Sequence, residues 1–224
     1  MFARAWRGLG AILAAVANWR FFKPAVFLGA AVPAVLLARE TWEGNLGVDP
    51  VKTLLHETGE SALLMLLISL AVTPLRRLFK VNRLQLVRRM LGLWAFAYAV
   101  THLSIYLVFD QLCYSLETCD FQTIWKDILL RKFIFIGQLA FAILLLLALT
   151  STKGWQRRLG RNWTRLHRLV YVAAAAGVVH FIWIQKSDYT EPLKWALALA
   201  VLLAIRVGYV IRGRSTRARS AVTA

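Results

Sequence analysis

Six stretches of the chain, at 21–38, 60–78, 91–109, 133–150, 169–185 and 193–211, are nearly free of charge, and the polar residues bunch between them. Each is continuously apolar and close to the roughly 20 residues a helix needs to cross a bilayer. Strands of a membrane barrel are about ten residues long and alternate in polarity, which these stretches do not. In lipid the backbone is otherwise satisfied only within helices. The pattern predicts an all-α integral membrane protein: a six-transmembrane-helix bundle over 20–211 with no separate soluble domain. Residues 1–19 mix basic and apolar positions around Trp6 and Trp19, which suits a segment lying in the membrane surface. Residues 212–224, "RGRSTRARSAVTA", read as a disordered basic tail. The N-terminal stretch has the outline of a signal peptide, but "AVLLARETW" offers no convincing cleavage pattern, and a retained first helix keeps the number of spans even.

Charge adds orientation. A net charge of +17 would suggest nucleic acid on a soluble domain. Here 21 of the 28 basic residues lie before the first apolar stretch, between the second and third, between the fourth and fifth, and at the end of the sixth. All eleven acids fall on the opposite side. The positive-inside rule then puts both termini in the cytoplasm, and the positive charge faces anionic lipid; nucleic acid is excluded as a partner. Cys113 and Cys119 lie in an outer loop, "QLCYSLETCDF", where an oxidising compartment permits a disulfide that the spacing allows without requiring.

Ionisable side chains inside a membrane are costly and mark function. Two histidines qualify. His102 lies thirteen residues past Arg89 in the third stretch, and His180 twelve past Arg168 in the fifth. Both stretches run in the same direction, so both imidazoles reach about 18–20 Å into the bilayer. Two imidazoles at one height on neighbouring helices suit axial ligation of a haem iron; the alternative is a hydrogen bond from each to a neighbouring helix. His167 lies at the inner interface among Arg161, Arg165 and Arg168. Across from it stand Arg88 and Arg89 rather than a histidine, with Met90 nearby as a weak thioether donor. On an ideal helix His167 is about 140° out of phase with His180. It is therefore either a contact to a second redox cofactor, a haem of unusual ligation or a flavin phosphate held by arginines, or a polar interfacial residue. His56, in "DPVKTLLHETGESALL", reads as a cap or interface histidine, or as a proton, quinone or partner contact near the outer haem edge. No Gly-rich nucleotide loop, Walker sequence or HExxH is present. A transporter or assembly factor would show more broken helices or buried charge than this chain, where Pro33 is the main intramembrane interruption and buried charge is nearly absent.

Three segments, "DPVKTLLHETGESALLMLLISLAVTPLRRL", "VRRMLGLWAFAYAVTHLSIYLVFD" and "WTRLHRLVYVAAAAGVVHFIWIQK", together resemble the ferric-reductase-like transmembrane family in its bacterial haem-binding branch. The resemblance implies a b-type cytochrome subunit of the bacterial inner membrane. It implies electrons taken from quinol or a cytoplasmic flavin reductase and passed to a periplasmic molybdopterin enzyme that reduces methionine sulfoxide in oxidised proteins. FMN is associated with the same family. Carried over by position, the haem-associated histidines are His102, His180 and His167; the fourth position of larger relatives falls at Arg88–Arg89. One haem b is implied, with a second left open. A stand-alone quinol or ferric-chelate reductase is the competing expectation.

Overall fold

The computed structural model describes residues 2–113, 119–185 and 188–222, with side chains from Gly10 to Arg212. Ten α-helices are formed by the described residues: α1 Phe2–Asn18, α2 Phe22–Glu43, α3 Pro50–Phe79, α4 Gln85–Ile105, α5 Phe121–Leu130, α6 Lys132–Leu149, α7 Lys153–Leu159, α8 Arg161–Leu166, α9 Val170–Ile184 and α10 Thr190–Val222. A 3₁₀ turn, Asn82–Leu84, leads into α4, and a π turn, Tyr106–Asp110, ends it; a second 3₁₀ turn, His167–Leu169, joins α8 to α9. Six of these segments are long and apolar enough to cross a membrane, in agreement with the sequence pattern.

Several boundaries differ, and three of the differences have a local physical cause. The second span starts at Pro50, ten residues before the apolar stretch, because Asp49 caps the backbone N–H of Lys52 and Pro50 sits at the first helical position, where its missing N–H costs nothing. The same helix runs through Pro74, whose ring removes a backbone donor, and stops at Lys80 in the left-handed conformation (φ 58°). Beyond Arg212, where composition predicts no structure, the backbone stays helical to Val222; arginine and alanine are good helix formers.

α3 packs along α4 and α6 along α9, and the two pairs close on each other through α4–α6 and α3–α9 contacts. Small residues at the seams, Ala95, Ala173 and Ala174, are fully buried and let the backbones approach. Leu63, Leu66, Leu67 and Leu70 of α3, Leu91 of α4 and Val178 of α9 fill the centre. α2 lies against α3 and α4, and α10 against α9 and α3. The outward faces of these helices carry exposed Phe27, Leu28, Val35, Leu197 and Val201, as a lipid-facing surface should. At the acidic end Cys113 and Cys119 are bridged, with Cα atoms 4.4 Å apart. Asp120 then caps α5, and the Thr123 hydroxyl with the first-turn N–H groups holds its carboxyl below the ordinary range.

One interhelical contact is specific. Pro33 removes a rung of the α2 ladder. One rung on, the Tyr98 hydroxyl of α4 accepts from the Ala34 N–H (3.1 Å) and donates to the Ala30 carbonyl (2.7 Å), inserting between groups that would otherwise bond each other. Tyr98→Phe leaves both facing an apolar core. It is expected to lower unfolding free energy by about 1–3 kcal/mol, measured from the denaturation midpoint in detergent. No change would mean that the α2 ladder closes by itself.

Candidate functional site

His102 and His180 come together at the acidic half of the bundle, their ring centroids 6.1 Å apart and their planes at 88°. Each is fixed by the helix beside its own. His102 Nδ1 lies 2.9 Å from the Leu55 carbonyl of α3, and His180 Nδ1 lies 2.7 Å from the Phe133 carbonyl of α6. A carbonyl only accepts, so both Nδ1 atoms carry the proton and both Nε2 atoms keep a free lone pair. The Thr58 hydroxyl donates to the Leu54 carbonyl and leaves its oxygen 3.4 Å from His102 Nδ1.

Glycines make room for both rings. A Cβ on Gly137 would stand 2.7 Å from His180 Nδ1, and one on Gly59 would stand 3.1 Å from His102 Nδ1. The Nδ1 edges therefore press against α3 and α6, and the Nε2 edges turn away from them. Two metal–imidazole bonds of about 2 Å, with each centroid about 1 Å behind its ligating nitrogen, would set the centroids about 6 Å apart. Donor type, tautomer and separation all fit a bis-imidazole haem iron.

His167 is elsewhere, at the basic end. Trp163 stacks on its ring (4.1 Å) and donates its own Nε1–H to the Thr150 carbonyl. The Thr150 hydroxyl gives its proton to the Leu146 carbonyl, so it accepts from His167 Nε2–H at 3.2 Å. The tautomer is opposite to that of the pair, and Nε2 is already used. The 3₁₀ turn His167–Leu169 sets this residue off the regular phase of α9. Met90 packs against the apolar core.

His167 does border a cavity of about 360 Å³, within the range of ordinary small-molecule sites, about 300–1,000 Å³. Arg88, Arg89, Arg168 and Arg206 line it together with Gln85, Gln156, Ser69, Ser151, Trp163 and Tyr171. Tyr171 and Arg206 are close electrostatic neighbours of Arg88, and the Arg206 guanidinium sits 4.5 Å over the Tyr171 ring. No carboxylate lines the cavity among the described residues; the salt bridges found there all lie at the acidic end. Guanidiniums around an aromatic-walled space fit a ligand bearing phosphate or carboxylate.

Residues 58–178 match the ferric reductase like transmembrane component family. The chain belongs to that family. It is 44% identical over 203 residues to the protein-methionine-sulfoxide reductase heme-binding subunit MsrQ of Xanthomonas axonopodis pv. citri (strain 306), covering 88% of this chain and 90% of the relative. The subunit of the same name from Caulobacter vibrioides is 41% identical over 196 residues, covering 87% and 89%. The matched span of the ferric-reductase-like family contains His102 and His167 and ends two residues before His180.

Depth counting along the sequence paired His102 with His180 and separated His167. It missed Gly59, Gly137, Thr58 and the two anchoring carbonyls, and it missed Tyr171, Gln156 and Arg206 at the cavity. A glycine inside an otherwise apolar helical run was the available signal for the first two.

Proposed function

We propose that this chain is the b-type cytochrome subunit of a methionine-sulfoxide reductase system. It lies in the bacterial inner membrane with its basic end in the cytoplasm, and passes electrons outward to a periplasmic molybdopterin partner. The juxtaposition of His102 and His180, each with Nδ1–H tied to a carbonyl, carries the reading, and the relatives named as heme-binding subunits support it. Haem bound there supplies a one-electron carrier near the acidic end. Leu55 and Phe133 would fix the rotation and basicity of the two ligands. The basic cavity is the entry side. Arg88 and Arg206 would hold the phosphate of an FMN, with Trp163, His167 and Tyr171 along its ring, so that a cytoplasmic flavin reductase or quinol loads electrons there.

The test is the purified, haem-loaded chain in nanodiscs, reduced and then mixed with its oxidised periplasmic partner. Rapid haem reoxidation that needs the partner is the expected result. Reoxidation by a ferric chelate at the same rate without the partner would favour a stand-alone reductase. Arg88→Gln and Arg206→Gln are expected to lower FMN retention at least about tenfold while the haem spectrum is unchanged, as measured by flavin fluorescence of the purified protein. Equal FMN content in both variants would remove the cavity from the electron path.

A further inference from the structure

The acidic end holds a second set of ligating side chains, on the far side of the α3 turn that grips His102. His56, Glu57 and Glu60 each offer one donor atom, and all three atoms lie within 4.8 Å of one another. Residues three and four apart share a helix face, which brings Glu60 beside both of the others. His56 Nδ1 stands 3.8 Å from Glu60 Oε2. The other carboxylate oxygen, Oε1, accepts from the Trp195 indole N–H of α10 at 3.2 Å. That bond turns Oε2 toward the imidazole, and the Phe181 ring of α9 packs edge-on against His56 at 5.5 Å. Two groups outside the cluster thus orient its members, as outer partners orient the ligands of a metal centre.

Because α3 starts at Pro50, these residues are inside a spanning helix and not in a loop. Glu60 is sixteen residues along α3 from Arg76, a rise of about 24 Å within a hydrocarbon core of about 30 Å. His56 and Glu60 are only partly exposed, and Glu57 faces out. His56 and Glu57 lie a further turn out, so the cluster sits at the outer edge of that core, where an unpaired carboxylate still carries a cost. Lys194 of α10 is paired with Glu191 and also interacts electrostatically with Glu60. Within the cluster, two carboxylates face one imidazole.

We propose that His56, Glu57 and Glu60 bind a divalent transition-metal ion of the zinc class, with a fourth position open on the exposed side of Glu57. One imidazole nitrogen and two carboxylate oxygens are a borderline-hard donor set, suited to Zn²⁺ and unsuited to soft Cu(I). Bonds of about 2.0–2.2 Å in tetrahedral array separate ligand atoms by about 3.3–3.6 Å. The His56–Glu60 pair is already near that spacing, and the exposed Glu57 side chain closes the third side by rotation. The site stands on these three residues and holds whether or not the proposed electron path is correct.

The experiment titrates the full chain in nanodiscs with Zn²⁺ by calorimetry, and with Co²⁺ to read the coordination number from its absorption. One ion per chain is expected, with a raised melting temperature. His56→Ala and Glu57→Gln should each weaken binding at least about tenfold and abolish the Zn²⁺-dependent rise in melting temperature. Haem content serves as the folding control in both variants, and Glu57, being exposed, is replaceable without harm to packing. Absence of saturable one-to-one binding in the wild-type chain overturns the site. So does unchanged affinity in Glu57→Gln and His56→Ala.

Discussion

Haem is expected to disappear from the purified protein when either His102 or His180 becomes alanine, and to remain when His167 does. The contrast rests on tautomers. Both members of the pair spend Nδ1–H on a backbone carbonyl and keep Nε2 free, whereas His167 commits Nε2–H to Thr150. Removing either paired imidazole would leave a haem iron with one protein ligand and open a gap between the helices in the acidic half of the bundle. The loss should exceed the roughly 10–100-fold that follows from disturbing an outer-shell partner. The measurement is the ratio of haem to protein after purification, with oxidised and reduced spectra of all three variants. Sharp low-spin bands retained in His102→Ala or His180→Ala would break the pairing. Loss of all haem in His167→Ala would mean that the basic-end cavity holds it. Asparagine at His102 is a stricter test than alanine: its amide nitrogen is bonded to Cγ, as Nδ1 is, and can still donate to the Leu55 carbonyl, while the ligating Nε2 is gone.

Much of this was legible in the residues, and the remainder divides by physical cause. Six apolar stretches suffice for the spans because lipid permits so few alternatives. The histidine pair was legible by counting from Arg89 and Arg168, since a helix converts residue number into depth at a fixed rise. The start of α3 was not. Lys52, His56, Glu57 and Glu60 interrupt the hydropathy, and only the Asp49–Pro50 cap marks the true beginning. Hydropathy measures where lipid begins, and a helix that protrudes past the lipid is invisible to it. The cavity was half legible. The arginines were counted as topology signals, and nothing in their spacing shows that Arg88 and Arg206, 118 positions apart, line one space with Tyr171. Long-range neighbours come from packing, which a single sequence does not encode position by position. The insertion of Tyr98 beside Pro33 belongs to the same class.

Gly137→Ala is the smallest change expected to cost the protein its haem. The added carbon would lie 2.7 Å from His180 Nδ1, 2.9 Å from Cε1 and 3.3 Å from Cγ. These are ring atoms of a side chain already pinned to Phe133, one helical turn before Gly137, so the ring cannot yield without giving up its 2.7 Å hydrogen bond. Displacing it moves Nε2 by several tenths of an ångström and frees the tautomer, and outer-shell losses of this kind cost roughly 10–100-fold in affinity. Gly59→Ala is the graded comparison. Its carbon would meet His102 at 3.1–3.2 Å, tight enough to need a small shift, and a loss of only a few-fold is expected. Gly29→Ala is the control, with nothing within 4 Å of the added carbon. All three exchanges remove a helical glycine and so favour the helix by up to about 1 kcal/mol. Thermal stability of the haem-free chain should hold or rise in Gly29→Ala, while in Gly137→Ala the loss of the His180 hydrogen bond offsets the helix gain; haem content falls in the order Gly29, Gly59, Gly137. Haem lost from Gly137→Ala with no more than that small change in stability points to the displaced imidazole rather than to general unfolding. If Gly137→Ala retains full haem with an unshifted spectrum, His180 is not held by the groove in α6, and the bis-imidazole geometry built on that contact fails with it.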